Sequence, residues 1–157
     1  ALTPLELTLS VSLEATSDRR EWPSQNIIGM IPGSQPGLGA VLVLAHWDHL
    51  GECGPAGALD RICNGAADNA SGIAMMLELA RRLKAGPPPG RDIYFLATTA
   101  EEPGLLGIRS FVKAPPVPLA GIVAAFNLDM MAVAPAGSGT SNERPERSEL
   151  RFCTAYS

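Results

Sequence analysis

Three runs of apolar, β-forming residues lie in the middle of this 157-residue chain, at residues 40–45, 93–98 and 121–128. Continuous apolar runs of this length are typical of strands that are buried on both faces, as in parallel sheets. Between the first two runs, apolar residues repeat at helical spacing from Ile73 to Leu83, and a shorter helix is predicted over residues 105–112. Strands that alternate with helices predict an α/β fold, here a three-layer α/β/α sandwich with a mixed, largely parallel sheet.

Two shorter β patterns precede these runs. Residues 5–13 alternate between apolar and polar side chains, which is typical of a strand with one face on a core. Residues 26–31 predict a second strand that ends at a Pro-Gly turn, and we expect it to form a hairpin with the strand at residues 40–45.

The composition changes near the C-terminus. After residue 133 the chain becomes rich in Gly, Ser, Pro, Glu and Arg and shows neither strand nor helix periodicity. We therefore expect one domain over residues 1–133 and a polar tail over residues 134–157 that is disordered or foreign to the domain.

The balance of charge excludes some classes of partner. Twelve Lys and Arg against sixteen Asp and Glu give a net charge of −4 without a dense basic cluster, which argues against binding to nucleic acid. The longest apolar run is interrupted by Asn127 and Asp129 and is too short to span a membrane. The first residues carry neither an initiator Met nor a signal-peptide pattern, so we expect a processed product or a fragment.

The three cysteines, at positions 53, 63 and 153, include no Cys-x-x-Cys pair, which argues against a zinc ribbon. Cys53 and Cys63 bracket a loop rich in Gly and Pro. A disulfide between them would close a ring of about 11 residues, worth roughly 2.8 kcal/mol in the loop-entropy description. We expect this disulfide and, with it, an exported protein, periplasmic or extracellular. Two reduced, buried cysteines are the alternative.

Each of the three apolar runs ends in residues of the kind that bind metals: His46, the pair Glu101 and Glu102, and Asp129. Asp68 stands just before the first helix, where the chain returns to the same edge of the sheet. Sites in open α/β sheets form outside the carboxyl ends of the strands. One imidazole and several carboxylates suit zinc or a similar divalent ion.

Structural interpretations of these residues also exist. His46 alone could be a hydrogen-bonded core histidine, and the two glutamates could be a solvated strand end. Asp68 could be a helix cap, as could Asn69 or Ser71. Asp129 fits a structural role least well, because its apolar neighbours would bury its charge without a partner.

Two more polar residues follow His46. Asp48 lies on the same side of an extended chain as His46 and can orient the imidazole. His49 is interpreted as a residue of a turn or of the rim, which would have to reach across the site to bind a second metal.

Four motifs stand in order between about residue 26 and residue 131. They are AHWDHLG at residues 45–51, NGAADNASG at 64–72, TAEEPGLLG at 99–107 and NLD at 127–129. With these motifs the chain resembles the dizinc peptidases that include bacterial leucyl aminopeptidases, glutamate carboxypeptidase and, with one zinc, glutaminyl cyclase.

The resemblance implies a role for each matching residue. His46 and Asp129 would bind one zinc, Glu102 would help to bind the other, and Asp68 would bridge both. By the same resemblance Asp48 orients His46, Glu101 is the general base, and the peptide bond after Asp68 is cis.

The resemblance implies a zinc-dependent exopeptidase, an aminopeptidase, that acts on a peptide with a free N-terminus and holds two zinc ions in its complete site. It also implies one more histidine ligand downstream of Asp129, and no histidine follows Asp129 here. We therefore expect a domain that is incomplete at its C-terminus and binds one zinc firmly and the second weakly or not at all. The alternative is a catalytically dead product, or a binding or structural module on the same fold, as in the transferrin receptor.

Overall fold

The structure is a computed structural model, and it describes residues 10–18, 21–35 and 37–131. Its strands, in chain order, are β1 (Ile27–Ile31), β2 (Ala40–His46), β3 (Gly51–Glu52), β4 (Ile62–Cys63), β5 (Asp92–Thr98) and β6 (Ile122–Asn127). Its helices are α1 (Ser71–Ala85) and α2 (Leu106–Lys113). Short helical turns also occur at Ala66–Ala70 and Leu119–Gly121.

The main sheet has four strands in the order β1, β5, β2, β6. Strand β2 runs parallel to both of its neighbours, β5 and β6, whereas β1 pairs antiparallel with the other side of β5. The predicted mixed, largely parallel sheet is therefore confirmed. Because β2, β5 and β6 point the same way, their carboxyl ends meet at one edge of the sheet.

Alternate residues of β2 and β5 face opposite sides of the sheet, where different helices cover them. On one face, Met76 of α1 packs with Val43, Ala45 and Phe95. On the other face, Phe111 of α2 packs with Leu42 and Leu96. The two helices thus complete the three predicted layers. Helix α1 ends at Ala85, before Gly86, and the prolines that follow cannot donate helical hydrogen bonds.

Two predictions about the first strands are wrong. Residues 10–18 form no strand, and the side chains of Val11 and Leu13 are 79% and 91% exposed, because none of the described strands pairs with this segment. Residues 5–9 of the same prediction lie outside the described residues. Strand β1 forms no hairpin with β2, since β5 and β6 occupy both edges of β2 and leave β1 to pair with β5.

A small antiparallel hairpin of β3 and β4 follows β2, with Gly51 paired to Cys63. The predicted disulfide between Cys53 and Cys63 is present at its base. The hairpin therefore returns the chain, before α1 begins, close to the end of β2.

The predicted polar tail, residues 134–157, lies outside the described residues. In the part of the chain that the structure describes, the helices are too short or too polar to cross a membrane.

Candidate metal centre

The predicted ligands converge on the edge of the sheet where β2, β5 and β6 end. His46 is the last residue of β2, and Asp129 lies two residues beyond β6. Glu101 and Glu102 follow β5, and Asp68 lies in the irregular turn that leads into α1. The structure therefore brings these residues together at one edge of the sheet, as the strand ends predicted.

The first group of potential ligands consists of His46, Asp68 and Asp129. The Nε2 atom of His46 lies 3.0 Å from Oδ1 of Asp68 and 3.5 Å from Oδ1 of Asp129. One ligand atom from each of the three residues lies within 4.8 Å of the others. His46 is buried, whereas the two carboxylates are partly exposed, so the group opens from the protein interior towards solvent.

The surroundings of His46 favour its use as a ligand through Nε2. Its Nδ1 lies 3.1 Å from the carbonyl oxygen of Asp48, a contact that places the proton on Nδ1 and leaves Nε2 facing the carboxylates. Burial lowers the pKa of His46, but the Asp48 carbonyl and the charges of Asp129, Glu101 and Asp48 together raise this pKa above its ordinary value.

A second group consists of His49, Asp68 and Glu102, whose ligand atoms also lie within 4.8 Å of one another. The Nδ1 atom of His49 is 2.6 Å from Oε1 of Glu102. Asp68 therefore belongs to both groups. The ring of His49, which follows the turn after His46, is 22% exposed and lies beside Glu102, and its interpretation as a residue of the turn or of the rim stays a prediction.

Asp48 connects the ends of β2 and β5. Its carboxylate accepts hydrogen bonds from the backbone N–H groups of Glu101, at 2.9 Å, and Glu102, at 3.4 Å. The same carboxylate is 3.7 Å from Nδ1 of His46, so it is the carbonyl of Asp48, and not its carboxylate, that makes the close contact with the imidazole. Asp48 thus holds both glutamates in register with His46.

Glu101 belongs to neither ligand group. It lines a cavity of about 140 Å³ together with His46 and Asp129, with Leu44 and Ile108 on the apolar wall. Burial raises the pKa of the Glu101 carboxyl, and the charges of Glu102, Asp129 and Asp48 raise it further against the opposing effect of His46.

Asn69 is a site residue whose role sequence reasoning missed. Its side chain is almost completely buried, donates to the Leu128 carbonyl at 2.8 Å and accepts from the Met130 N–H at 3.2 Å. Asn69 is therefore hydrogen-bonded to the backbone on both sides of Asp129. Its oxygen also accepts from the N–H of Gly72, in the first turn of α1, at 3.0 Å, although the N-cap position of α1 is occupied by Ala70 and not by the predicted Asn69 or Ser71.

The backbone near the ligands adopts sparsely populated conformations. Ala100, just before Glu101, has φ 51°, and Met130, just after Asp129, has φ 49°. Non-glycine residues in this left-handed region are uncommon and cluster at functional sites. The Asp68–Asn69 peptide bond is cis, as the resemblance implied.

The residues present fit zinc. Each group offers one imidazole nitrogen and carboxylate oxygens, the donor set that zinc takes in proteins. Nδ1 of His49 and Oε1 of Glu102 are buried and have no hydrogen-bond partner, although they lie side by side. Buried polar atoms are normally paired, so both atoms have free capacity to bind a cation.

Comparison with known proteins places this arrangement in a family. The chain is 41% identical over 90 residues to Aminopeptidase YwaD of Bacillus subtilis, covering 57% of this chain and 17% of that protein. It is 32% identical over 124 residues to the probable lipoprotein aminopeptidase LpqL of Mycobacterium tuberculosis, covering 77% of this chain and 22% of that protein. Among solved structures, BSAP, a zinc aminopeptidase from Bacillus subtilis, aligns with a TM-score of 0.54 and 37% identity over 67% of this chain and 24% of that one.

The chain thus spans about a fifth of the length of these curated relatives. The sequence pattern described as Peptidase family M28 matches residues 26–152 and includes all four motifs. This match extends beyond residue 133, and the proposed division between domain and tail stays a prediction. The resemblance to zinc peptidases is confirmed, and the chain belongs to peptidase family M28.

Proposed function

We propose that this chain forms the metal-binding part of a zinc-dependent aminopeptidase. The observation that carries the proposal is the position of Asp68, whose carboxylate is shared by the His46 and His49 groups. A carboxylate in this position can hold two cations together, and paired metals are a recurrent device of aminopeptidases.

The ligand roles follow from the two groups. His46, Asp68 and Asp129 would hold one zinc firmly, since three protein ligands and an open position are usual for a catalytic zinc. Glu102 and the other side of Asp68 would face the second. When bound, the metals supply a polarised scissile carbonyl and an acidified water.

Glu101 is the general base in this proposal. It takes a proton from the attacking water and passes it to the leaving amine. Its absence from both ligand groups and its place in the cavity beside His46 and Asp129 support this role. Asp48 is a positioning residue, because its carboxylate fixes the backbone of Glu101 and Glu102.

The substrate in this proposal is a peptide with a free α-amine. Two relatives, YwaD and LpqL, are named aminopeptidases, and the aligned structure BSAP is described as a zinc aminopeptidase.

Export is the location that we propose. The Cys53–Cys63 disulfide and the lipoprotein named among the relatives support it, because disulfides persist in oxidising compartments. Mass spectrometry of alkylated protein from its native source tests this proposal. Two free thiols at these positions would contradict it.

The activity is tested with Leu-p-nitroanilide. We expect the zinc-loaded chain to release p-nitroaniline slowly, to lose this activity with a chelator and to regain it with zinc. N-acetyl-Leu-p-nitroanilide is the matched control, because it lacks the free amine and should not be cleaved. A folded, zinc-loaded chain without chelator-sensitive hydrolysis would favour the binding or structural module instead.

A further inference from the structure

The segment just before β1, residues 24–26, contacts the ends of β2 and β5. The hydroxyl groups of Ser24 and Thr99 share a hydrogen bond of 2.6 Å. The indole N–H of Trp47 donates to the Gln25 carbonyl at 3.3 Å. Trp47 directly follows the last residue of β2, and Thr99 directly follows the last residue of β5. The segment is therefore bonded to both of the strands whose ends lead into the proposed site.

Asn26 makes the most extensive of these contacts, because its side chain bonds backbone groups at both ends of one loop. Its oxygen accepts from the N–H of Thr99 at 3.1 Å, and its nitrogen donates to the Gly107 carbonyl at 2.8 Å. The last residues paired between β1 and β5 are Ile27 and Ala97. The amide of Asn26 thus extends the connection between these two strands beyond their backbone pairing.

The first turn of α2 packs directly against Asn26. A Cβ atom on Gly107 would lie 2.6 Å from the side-chain oxygen of Asn26 and would collide with the Thr99 carbonyl, so glycine is needed for this approach. The N–H of Gly107 also donates to the Thr99 carbonyl at 2.9 Å. The two ends of the loop are therefore fixed to each other and to Asn26.

The loop that Asn26 closes carries both proposed glutamates and has unusual backbone angles. Ala100, directly before Glu101, has φ 51°, and Leu105 has φ 61°. Residues other than glycine rarely adopt this left-handed conformation, and it persists where the surrounding contacts enforce it. The Asp48 carboxylate supplies such contacts from the side of β2, through the N–H groups of the two glutamates. Asn26 supplies them from the side of β1.

We propose that Asn26 is a positioning residue for Glu101. By holding Thr99 and Gly107 together it keeps Ala100 in the left-handed conformation, and this conformation directs Glu101 into the cavity that it lines with the proposed metal ligands. Asn26 does not itself line that cavity, so its effect on the reaction passes through the loop. The inference rests on the proposed function, because it takes Glu101 as the general base.

Asn26→Ala tests this role in the zinc-loaded chain with Leu-p-nitroanilide as the substrate. We expect kcat to fall about 10- to 100-fold, because a displacement of about 1 Å can cost about 100-fold in rate. KM should change by less than about twofold, as expected when only stabilisation of the transition state is lost. Zinc content should not change, since Asn26 belongs to neither ligand group.

Gln25→Ala is the matched control in the same segment. The side chain of Gln25 is exposed, and its backbone carbonyl, which the substitution retains, accepts the hydrogen bond from Trp47. This variant should keep the wild-type kcat, KM and zinc content.

A double variant separates an effect through the base from a general loss of structure. Residues that act through one another give non-additive effects, so Asn26→Ala should slow the Glu101→Gln chain no further. A double variant whose rate is reduced by the product of the two separate losses would overturn the inference.

Circular dichroism at the assay temperature shows whether each variant is folded. If Asn26→Ala does not fold, Asn26→Asp replaces it, because it keeps the acceptor for the Thr99 N–H and loses the donor to Gly107, and it should lower kcat alone. Failure of both to fold, loss of zinc, or a folded Asn26 variant with the wild-type kcat would overturn the inference and leave the proposed function standing. A wild-type chain that holds zinc but cleaves nothing would remove the proposed function and the inference with it.

Discussion

The two ring nitrogens of His46 contact different groups. Nδ1 meets the carbonyl of Asp48, and Nε2 faces the carboxylates of Asp68 and Asp129. A hydrogen bond from Nδ1 to a backbone carbonyl fixes the tautomer and the orientation of the ring. Asp48 also holds the backbone of the two adjacent glutamates, so one residue sets the positions of the proposed base Glu101 and the proposed ligand Glu102.

Glu101→Gln tests the separation of base from ligand. Gln has the shape of Glu but cannot accept the proton, so hydrolysis by the zinc-loaded chain should fall by about 10²- to 10⁴-fold. Zinc content, measured by elemental analysis, should not change. Loss of zinc in this variant would show that Glu101 is a ligand. Glu102→Gln is the comparison, because it should lose metal before anything else.

At the scale of single residues, the sequence predicts that His46, Glu101, Glu102 and Asp129 belong to the site. Each of them ends or follows an apolar strand in which a charged side chain has no evident structural role. It does not predict the position of His49. That position depends on how sharply the chain turns after β2 and on the return of the β3–β4 hairpin to Gly65, which neither periodicity nor spacing encodes.

The elements around the site are joined by buried amides. Asn69 links the first turn of α1 to the end of β6, and a Cβ on Gly72 would collide with the Leu128 carbonyl. Asn26 similarly donates to the Gly107 carbonyl at 2.8 Å and accepts from the Thr99 N–H at 3.1 Å, joining the end of β5 to α2. These side chains set the spacing between the helices and the strand ends that carry the proposed ligands.

Asn69→Ala should separate α1 from the end of β6. It leaves the Leu128 carbonyl and the N–H groups of Gly72 and Met130 without their partner, and we expect it to lower the free energy of unfolding by about 2–4 kcal/mol. Zinc affinity at the His46 group should fall about 10- to 100-fold, as for other outer-shell partners. Urea denaturation and competition with a chelator measure the two effects.

Asn64→Ala is the matched control, because Asn64 is exposed and its side chain makes only a long contact, 3.4 Å, with the Ile62 carbonyl. It should change stability by no more than about 0.5 kcal/mol, as is usual for surface substitutions. Equal effects of the two substitutions would show that Asn69 does not connect the elements.

The helices and the central strands follow from the sequence because their patterns are local. The pairing of β1 does not follow from the sequence. The five residues of β1 suit an edge strand beside either β2 or β5. The crossover through α1 places β5 at the edge of β2, and β1 therefore pairs with β5. The strand prediction is wrong for residues 10–18 for a related reason. A segment of alternating apolar and polar residues forms a strand only where it can pair with the edge of a sheet.

For the molecule as a whole, the described core is small. It consists of two clusters on either face of the sheet, centred on Val43 and on Leu96. Large apolar side chains remain at the surface, including Met30, which is 50% exposed, and Leu77, which is 62% exposed. With so limited a core, we expect a metal at the proposed site, which would join β2, β6 and the turn before α1, to contribute a large share of the stability.

Zinc should therefore raise the melting temperature strongly. A ligand that binds only the folded state adds about 2.7 kcal/mol at a concentration 100 times its dissociation constant. For a domain of this size, between the 60–100 and the 150–250-residue classes, 1 kcal/mol shifts the melting temperature by about 4 °C, so we expect a rise of about 10 °C over the chelator-treated chain. Calorimetry with and without zinc measures this rise in melting temperature. Magnesium is the control ion and should have little effect, because it favours all-oxygen shells.

The variant Asp129→Asn, which removes one carboxylate from the His46 group, should lose about half of the rise or more. An equal melting temperature in zinc and in chelator would mean that the strand ends do not share a metal.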